Sequence, residues 1–202
     1  MKQMVIASTN QGKISEIRAA FQGLPVEIHS LAEFGTIPEV EETGKTFAEN
    51  ALLKARYYVE HTGMACLADD SGLEVDALAG APGVYSARFA GDAASDEKNN
   101  QKLLAALYGI PEAQRSARFR CVLAFLDADE AVITADGTCE GRILEAPRGK
   151  GGFGYDPLFY MPKLDATLSE ISITEKNAVS HRGQALKVMA KKLAEYFAQE
   201  EA

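Results

Sequence analysis

The fold class is decided by the stretch Met64-Ala65-Cys66-Leu67-Ala68-Asp69-Asp70-Ser71-Gly72. Its apolar part stops at two acids and a glycine, which predicts a buried strand that opens into a loop at its C-terminal edge. Open α/β sheets place ligands at that edge. Neighbouring carboxylates repel each other unless a cation or a proton lies between them, so Asp69 and Asp70 indicate a bound partner. The alternative is an acidic turn that only ends a strand, and the stretch alone favours neither.

Composition limits the class of protein. The chain has 202 residues, 47% of them hydrophobic and 25% charged, which is typical of a soluble globular protein and sufficient for a buried core. The net charge of −8 argues against a protein that coats nucleic acid. Three cysteines lack metal-type spacing, and no apolar stretch approaches a signal peptide or a membrane span. We therefore expect a single domain over residues 1–202 in the cytoplasm, without nucleic-acid or membrane partners.

Apolar patterns and turn residues predict the elements of the fold. Strands are predicted at 4–7, 26–29, 64–68, 118–126, 131–135 and 139–144, and helices at about 12–21, after Thr46, after Ser95 and over 180–197. Thr46 and Glu49 have the spacing of a capping box. The acidic residues 127–130 separate two apolar runs, as in a hairpin. Helices and strands that intermix in this way predict an α/β fold with a mixed sheet.

A polar turn follows the first predicted strand and opens the first helix. It reads Ser8-Thr9-Asn10-Gln11-Gly12-Lys13. Backbone N–H groups at a helix N-terminus favour anions, Gly12 permits close approach, and Lys13 supplies a charge suited to phosphate. It is not a Walker A motif, because the required glycine spacing is absent. The alternative is an ordinary strand-to-helix turn with a solvated lysine.

Two further clusters lie in the C-terminal part of the sequence. Residues 149–157 combine four glycines with Phe153, Tyr155 and Asp156. An aromatic ring can stack on a flat ligand that the glycines allow to approach, and Asp156 can accept hydrogen bonds from its ring N–H groups. The alternative is a mobile loop. A basic cluster gathers Lys176, Ser180, His181, Arg182 and Gly183 at the entry to the last helix. Cations there oppose the helix dipole, so they favour an anion or a carbonyl-rich base, although each could also be an ordinary surface charge.

An acidic set completes the inventory. Glu39, Glu41 and Glu42 lie in one loop, and Asp69 and Asp70 follow a strand. Carboxylates without His or Cys partners select a hard cation, and Mg²⁺ binds a few carboxylates together with substrate phosphates. A carboxylate-held Mg²⁺, a phosphate-binding turn and an aromatic pocket together predict a site for a nucleoside polyphosphate.

Six short runs of the sequence form a pattern that extends over nearly the whole chain. These runs are residues 8–13, Glu41-Glu42-Thr43-Gly44 with the segment 46–51, Ala68-Asp69-Asp70-Ser71-Gly72-Leu73, Gly83-Val84-Tyr85-Ser86-Ala87-Arg88, Gly152-Phe153-Gly154-Tyr155-Asp156-Pro157 and Ser180-His181-Arg182-Gly183. In these runs and in their order, the chain resembles the Ham1/RdgB family of non-canonical purine nucleoside triphosphate pyrophosphatases, also called inosine triphosphatases. Ser8 stands where many relatives carry Thr, which keeps the hydroxyl.

The resemblance implies an activity and roles for single residues. The family reaction hydrolyses ITP, dITP or XTP to the monophosphate and pyrophosphate, with Mg²⁺. By resemblance, Asp70 is the general base and a metal ligand, and Glu42, with Glu41 less firmly indicated, completes the metal site. The residues implied to bind the triphosphate and ribose are Ser8, Thr9, Asn10, Gln11, Gly12, Lys13, Lys54 and Ser71. Those implied to bind the base are Phe153, Gly154, Tyr155, Asp156, Lys176, His181 and Arg182.

The resemblance also implies a fold and an assembly. It predicts an inosine triphosphatase-like fold, a single elongated two-lobed α/β domain around a long twisted mixed sheet with the active site between the lobes, and a homodimer. Two other functions stay open. One is a regulatory module that binds a nucleotide without cleaving it, and the other is a Mg²⁺ phosphohydrolase acting on pyrimidine triphosphates. The two acidic pairs argue against the first, and substrate choice separates the second.

Overall fold

The computed structural model of the protein describes residues 2–127 and 131–200. Its strands are β1 (Lys2–Ile6), β2 (Val26–Ser30), β3 (Ala65–Val75), β4 (Ser116–Leu126), β5 (Val132–Ile143), β6 (Phe159–Met161) and β7 (Ala166–Thr167). Its helices are α1 (Gln11–Ala20), α2 (Phe47–Thr62), α3 (Asp96–Ala106), α4 (Ile173–Val179) and α5 (His181–Glu200). In this part of the chain, no helix has both the length and the apolar composition needed to cross a bilayer.

The strands form one seven-stranded mixed sheet in the order β2-β1-β3-β4-β5-β6-β7. β1 runs parallel to both β2 and β3, with Met4 opposite Ala65 and Ile6 opposite Leu67. At the other end of the order, β6 is antiparallel to β5 and to β7. The α/β fold with a mixed sheet is therefore confirmed.

Two strand predictions need correction. β3 does not stop at Ala68 but continues through both aspartates to Val75, so Asp69 and Asp70 lie within a strand and not in a loop. The predicted strands 131–135 and 139–144 are one strand, β5. Its Gly141 marks a close approach, because a Cβ there would lie 2.6 Å from the ring of Phe159. β4 and β5 are neighbours in the sheet, as a hairpin requires, while turn residues 128–130 lie outside the described part.

The predicted helix starts are confirmed by their caps. Thr46 caps α2, because its hydroxyl accepts the N–H of Glu49. The Glu49 carboxylate in turn accepts the backbone N–H of Thr46. Ser95 caps α3 in the same position, accepting the N–H of Lys98. These local signals fix where α2 and α3 begin.

The chain divides into two compact units, the first comprising residues 1–70, 121–137 and 182–202. Side chains on its strands alternate between two faces. Met4 and Leu67 pack with residues of α1 and α5, whereas Val5 and Cys66 pack with Tyr58 of α2. The strands of this unit are therefore covered on both faces, which explains their nearly continuous apolar runs.

The second unit comprises residues 71–120 and 138–181. Its core is a separate apolar cluster that includes Leu73, Leu103, Phe119, Ile143 and Phe159. α3 contributes Leu103 to this cluster, and the partly buried Val179 of α4 packs against it. This core supports the segment 149–157, because Tyr155 within it and Leu158 directly after it belong to the cluster.

Candidate active site

Asp69 and Asp70 point to opposite faces of β3. Successive side chains on a strand alternate in direction. Asp69 therefore follows Leu67 toward α1 and α5, and Asp70 follows Cys66 toward α2. Both carboxylates are buried, with 4% and 7% exposure. Buried charges need partners, so the partners of each aspartate indicate what it can do.

Asp69 is held by two cations. The ammonium of Lys13 on α1 donates to both of its carboxylate oxygens, at 3.0 and 2.8 Å. A guanidinium nitrogen of Arg182, on the first turn of α5, lies 3.5 Å away. Burial alone would raise the pKa of Asp69, but Lys13, Arg182 and Lys54 hold it well below its ordinary value. The lowered pKa keeps Asp69 ionised at neutral pH, where it is already paired with two cations.

Asp70 has a different environment. The amide of Asn50 donates to its Oδ2 at 3.0 Å, and the ammonium of Lys54 lies 3.7 Å from its Oδ1. Burial raises the pKa of Asp70, and the nearby carboxylates of Glu42 and Asp69 add to the rise, against the opposing effects of Lys54 and Asn50. A carboxylate whose pKa is raised is a better proton acceptor, which suits a general base.

Lys54 connects this aspartate to the acidic loop. Its ammonium donates to Oε1 of Glu42 at 2.8 Å. Burial would lower the pKa of Lys54, but Asp69, Asp70 and Glu42 raise it overall. Glu42 and Asp70 therefore share one cation, as two ligands of a metal would.

The carboxylates can be tested against a magnesium site. Within residues 2–127 and 131–200, no three Asp, Glu, His or Cys side chains converge closely enough to hold a metal alone. Mg²⁺ is usually held by one or two carboxylates together with waters and substrate phosphates, so the pair of Glu42 and Asp70 fits a metal that arrives with a nucleotide. Glu41 is exposed, whereas Glu42 is half-buried and lines a pocket. Of the two glutamates, the geometry favours Glu42 as the ligand.

The turn before α1 has the predicted form. Asn10 is the N-cap of α1, and its side chain accepts the N–H of Lys13 at 3.1 Å. Ser8 Oγ accepts the N–H of Asn10 at 3.1 Å. Gln11 and Gly12 form the exposed first turn of the helix. These two hydrogen bonds fix the backbone of the turn, and the side chain of Lys13 extends from it to Asp69.

An open pocket of about 380 Å³ lies in the first unit, and of the two aspartates it is Asp69 that lines it, with Asp70 next to it in the strand. Its charged and polar lining consists of Ser8, Thr9, Lys13, Thr36, Glu39, Glu42, Lys54 and Asp69. Leu31, Ile37, Val40 and Tyr58 form an apolar wall. Two lysines in one polar pocket suit a polyphosphate, since each neutralises part of its charge.

The aromatic segment forms a second group of polar contacts, in the second unit. The Asp156 carboxylate accepts the N–H of Phe153 at 2.9 Å and a short hydrogen bond from the ammonium of Lys176. That ammonium also lies 4.3 Å from the centre of the half-exposed Phe153 ring. A side chain at Gly152 would collide with Asp156, so only glycine fits there. The arrangement presents an aromatic face, a carboxylate and an ammonium together.

Two other predicted residues lie in the same unit. Tyr155 is buried and its hydroxyl donates to the carbonyl of Ser86 at 2.8 Å, and burial raises its pKa. Gly154 is held by α3, because its N–H donates to Asp96 at 2.6 Å and its carbonyl accepts from Asn100 at 2.9 Å. Tyr155 is therefore a support for the segment, while Phe153 is the ring that solvent reaches.

The basic cluster predicted at the last helix is divided among different elements. Lys176 belongs to α4, which was not predicted, and it pairs with Asp156. His181 begins α5 and stacks on Phe119, with ring centres 4.9 Å apart. Arg182 pairs with Glu16 at 3.3 Å and with Asp69. Ser71 follows Asp70 within β3. Lys176, His181 and Arg182 therefore contact different residues and do not form one basic cluster.

Sequence reasoning missed Asn50, Glu16 and Asp96. Asn50 belongs to a matching run but carries no charge, so only its contact with Asp70 shows its importance. Glu16 and Asp96 are acidic residues on helices, a type usually found at the surface. Their partners, Arg182 and Gly154, lie 166 and 58 positions away in sequence. No local pattern reports a contact at such a separation. The Ser172–Glu175 capping box, by contrast, was a visible signal for α4.

A family model described as the Ham1 family matches residues 4–192. The chain belongs to the Ham1 family.

Similar proteins support this membership along the whole chain. A dITP/XTP pyrophosphatase of Desulforamulus reducens is 52% identical over 185 residues, which is 92% of both chains. One of Geobacter sulfurreducens is 52% identical, covering 94% of this chain and 95% of the relative. The solved structure of a Ham1 protein from Coxiella burnetii has a TM-score of 0.91 at 45% identity and covers 96% of this chain and all of the other. The Ham1 fold therefore extends over nearly the full sequence.

Proposed function

We propose that this protein hydrolyses non-canonical purine nucleoside triphosphates, namely dITP, XTP and ITP, to the monophosphate and pyrophosphate. The observation that carries the proposal is the 52% identity, over 92% of both chains, to a relative named dITP/XTP pyrophosphatase. The activity is that of a nucleoside triphosphate pyrophosphatase, which removes deaminated purines from the nucleotide pool.

The charged pocket supports the chemistry. Water attacks the α-phosphorus, the bond between the α- and β-phosphates breaks, and pyrophosphate leaves. Asp70 accepts the proton of the attacking water, a role that its raised pKa favours. Lys13 and Lys54 neutralise the phosphate oxygens, and the backbone of residues 8–13 positions the triphosphate. General-base assistance of this kind accelerates a reaction by roughly 10²–10⁴-fold.

Mg²⁺ is the cofactor that this donor set suits. We propose that Glu42 and Asp70 would hold it, and that Lys54, which contacts both carboxylates, would contribute its charge to the substrate phosphates. When bound, the ion neutralises charge on the phosphates and polarises the attacked phosphorus. Support comes from the shared cation seen between Glu42 and Asp70.

The aromatic segment is suited to the base. A purine stacks on Phe153, and Lys176, with Asp156 behind it, donates to a 6-keto oxygen. The 6-amino group of adenine would place donor against donor, at a cost of about 1–3 kcal/mol for each unpaired buried group. We propose that His181 and Arg182 add donors to this recognition and that Ser71 contributes to the ribose and phosphate contacts.

Assembly and location complete the proposal. We propose a homodimer, as the family resemblance implies, and a cytoplasmic location. The location is consistent with three free cysteines, all buried, in a chain whose formal net charge is −8. Size-exclusion chromatography with light scattering tests the assembly, with about 43 kDa expected for two copies of the 21.7 kDa chain.

A pyrophosphate-release assay tests the function. The purified protein is given ITP, XTP, dITP, GTP, ATP and dUTP in turn, with and without Mg²⁺. The proposal requires Mg²⁺-dependent release from the first three, at kcat/KM values well above those for GTP and ATP. Release from dUTP alone would indicate a pyrimidine phosphohydrolase, and binding of ITP without release would indicate a regulatory module.

A further inference from the structure

Asn50 on α2 is a buried amide in contact with the proposed base. Its side chain has no solvent exposure. Its Nδ2 donates to Oδ2 of Asp70 at 3.0 Å, and its Oδ1 accepts the N–H of Gly44 at 2.7 Å. Burial of an amide is unfavourable unless its groups are hydrogen-bonded, and both ends of Asn50 are. The residue therefore connects β3 to the loop that carries Glu42.

The orientation of this amide is determined by its partners. The N–H of Gly44 can only donate, and an ionised Asp70 can only accept. Turning the amide over would place donor against donor at Gly44 and acceptor against acceptor at Asp70. Because Oδ2 of Asp70 accepts the hydrogen bond from Asn50, the other oxygen, Oδ1, is the one that faces Lys54 at 3.7 Å. Asn50 thereby selects which carboxylate oxygen faces the charged groups.

Packing at Gly44 makes the connection rigid. A Cβ at Gly44 would lie 2.5 Å from Oδ1 of Asn50 and 2.8 Å from Cβ of Glu49. No larger residue fits between the loop and the start of α2 without displacing one of them. The Asn50 side chain thus holds the loop that carries Glu42 against the carboxylate of Asp70, beside the contacts that Lys54 makes with both.

We infer that Asn50 is a positioning residue for the hydrolysis, one that fixes the reactive oxygen of Asp70 and the place of the Glu42 loop. It acts through Asp70 and does not itself contact substrate. The inference rests on the proposed function, since it assigns Asn50 a role in that reaction. A purely structural asparagine would contribute to folding stability and leave turnover unchanged in a folded variant.

The chain offers a matched control in Asn99 on α3. Asn99 is also buried, at 4% exposure. Its Oδ1 accepts the N–H of Ala90 at 2.7 Å and its Nδ2 donates to the carbonyl of Ala87 at 3.0 Å. It bridges a helix and a loop as Asn50 does, but its partners are backbone groups only. Substitutions at Asn99 report the cost of losing such a bridge without touching Asp70.

The experiment compares Asn50→Leu with Asn99→Leu. Leucine is close in shape to asparagine, so each variant loses the hydrogen bonds of the amide without adding a charge beside Asp70. For ITP we expect Asn50→Leu to lower kcat by about 10- to 100-fold, a loss typical of groups that orient a reacting residue, and to change KM by less than about threefold. Asn99→Leu should lower the melting temperature but keep kcat within about twofold of the wild type. Calorimetric binding of inosine monophosphate should be the same in all three proteins.

Several outcomes would overturn the inference. Equal kcat values for the two variants would reduce Asn50 to a structural role, as would a loss in Asn50→Leu confined to KM. If Asn50→Leu does not fold, Asn50→Ala and Asn99→Ala are compared at low temperature with the same expectations. A wild-type protein that releases no pyrophosphate from ITP would contradict the proposed function itself, which distinguishes that failure from the failure of the Asn50 role.

Discussion

The two sides of β3 at residues 69 and 70 present the same functional group in opposite electrostatic settings. On the side of α1 and α5, Asp69 is paired with Lys13 and Arg182, and its pKa is lowered. On the side of α2, Asp70 has an amide and a more distant ammonium, and its pKa is raised. Adjacent carboxylates whose environments push their pKa values apart can take different roles. One is suited to hold cations in place and the other to accept a proton.

This comparison explains why the strand continues through two acids. Polar residues end a buried strand when nothing inside can pair with them. Here cations reach Asp69 from two helices, and an amide and a lysine reach Asp70 from a third. The partners come from distant parts of the sequence, so the burial of both aspartates depends on the tertiary fold.

The largest expected effect is the loss of the base. Asp70→Asn keeps the shape of the site but removes the proton acceptor and weakens the metal site, so kcat for ITP should fall by at least about 100-fold. Substrate should still bind through Lys13 and Lys54. Steady-state kinetics at saturating Mg²⁺ measure this. A variant with near-normal turnover would remove Asp70 from the role of base and make Asp69 the next candidate.

Loss of the neighbouring carboxylate should act on binding instead. In Asp69→Asn, Lys13 and Arg182 lose the charge that holds them, so KM for ITP should rise by about tenfold while kcat stays within about threefold of the wild type. The two variants are compared in the same assay. Should kcat collapse with KM unchanged, the division of roles between the aspartates would be wrong.

The metal site sharpens the comparison on the α2 side. Glu42→Gln removes a carboxylate that shares Lys54 with Asp70, so the Mg²⁺ concentration for half-maximal activity should rise by about three- to tenfold. Glu41→Gln is the matched control, because Glu41 is exposed and outside the pocket lining, and its titration should overlay the wild type. A larger shift for Glu41→Gln would reverse the assignment of the ligand.

The smallest expected effect is on stability, and its sign differs between the two aspartates. The lowered pKa of Asp69 contributes stability that is present above its ordinary value of 3.8 and is lost as the pH falls through the folded value. The raised pKa of Asp70 has the opposite effect, a cost present above its folded value and relieved at lower pH. At pH 7, Asp69→Asn should therefore lower the free energy of unfolding by about 1–3 kcal/mol, while Asp70→Asn leaves it unchanged or higher.

Urea unfolding at pH 7 and pH 4 measures this difference. The deficit of Asp69→Asn relative to the wild type should persist at pH 4, because the folded pKa of Asp69 lies well below that value. The gain of Asp70→Asn should shrink there. Equal changes in both variants at both pH values would contradict the opposite pKa directions.

Local signals predicted much of the fold from the sequence. The Thr46–Glu49 capping box and the Ser95 cap placed two helix starts correctly, because capping depends on residues three positions apart. The turn before α1 was also predicted, although Asn10 was not identified as its cap. The strands β6 and β7 were missed because segments of three and two residues carry no periodicity.

The candidate site was predictable in its residue types and less so in its contacts. Most of the acids, lysines and aromatics were singled out from the sequence, Lys54 only through the family resemblance, but Glu16 and Asp96 were missed. Their pairings were not, because Asp156 meets Lys176 and Arg182 meets Glu16 only after the chain has folded. Asn50 shows the limit most clearly, since an uncharged side chain acquires its importance solely from Asp70, twenty positions away.

Single-turnover hydrolysis of ITP by Asp70→Asn and Asp69→Asn tests the division of roles most directly. With enzyme in excess and saturating Mg²⁺, the rate reports the chemical step and excludes product release. The account predicts that Asp70→Asn is slower than the wild type by at least about 100-fold, whereas Asp69→Asn stays within about threefold. A slow Asp69→Asn beside an Asp70→Asn of nearly wild-type rate would contradict it.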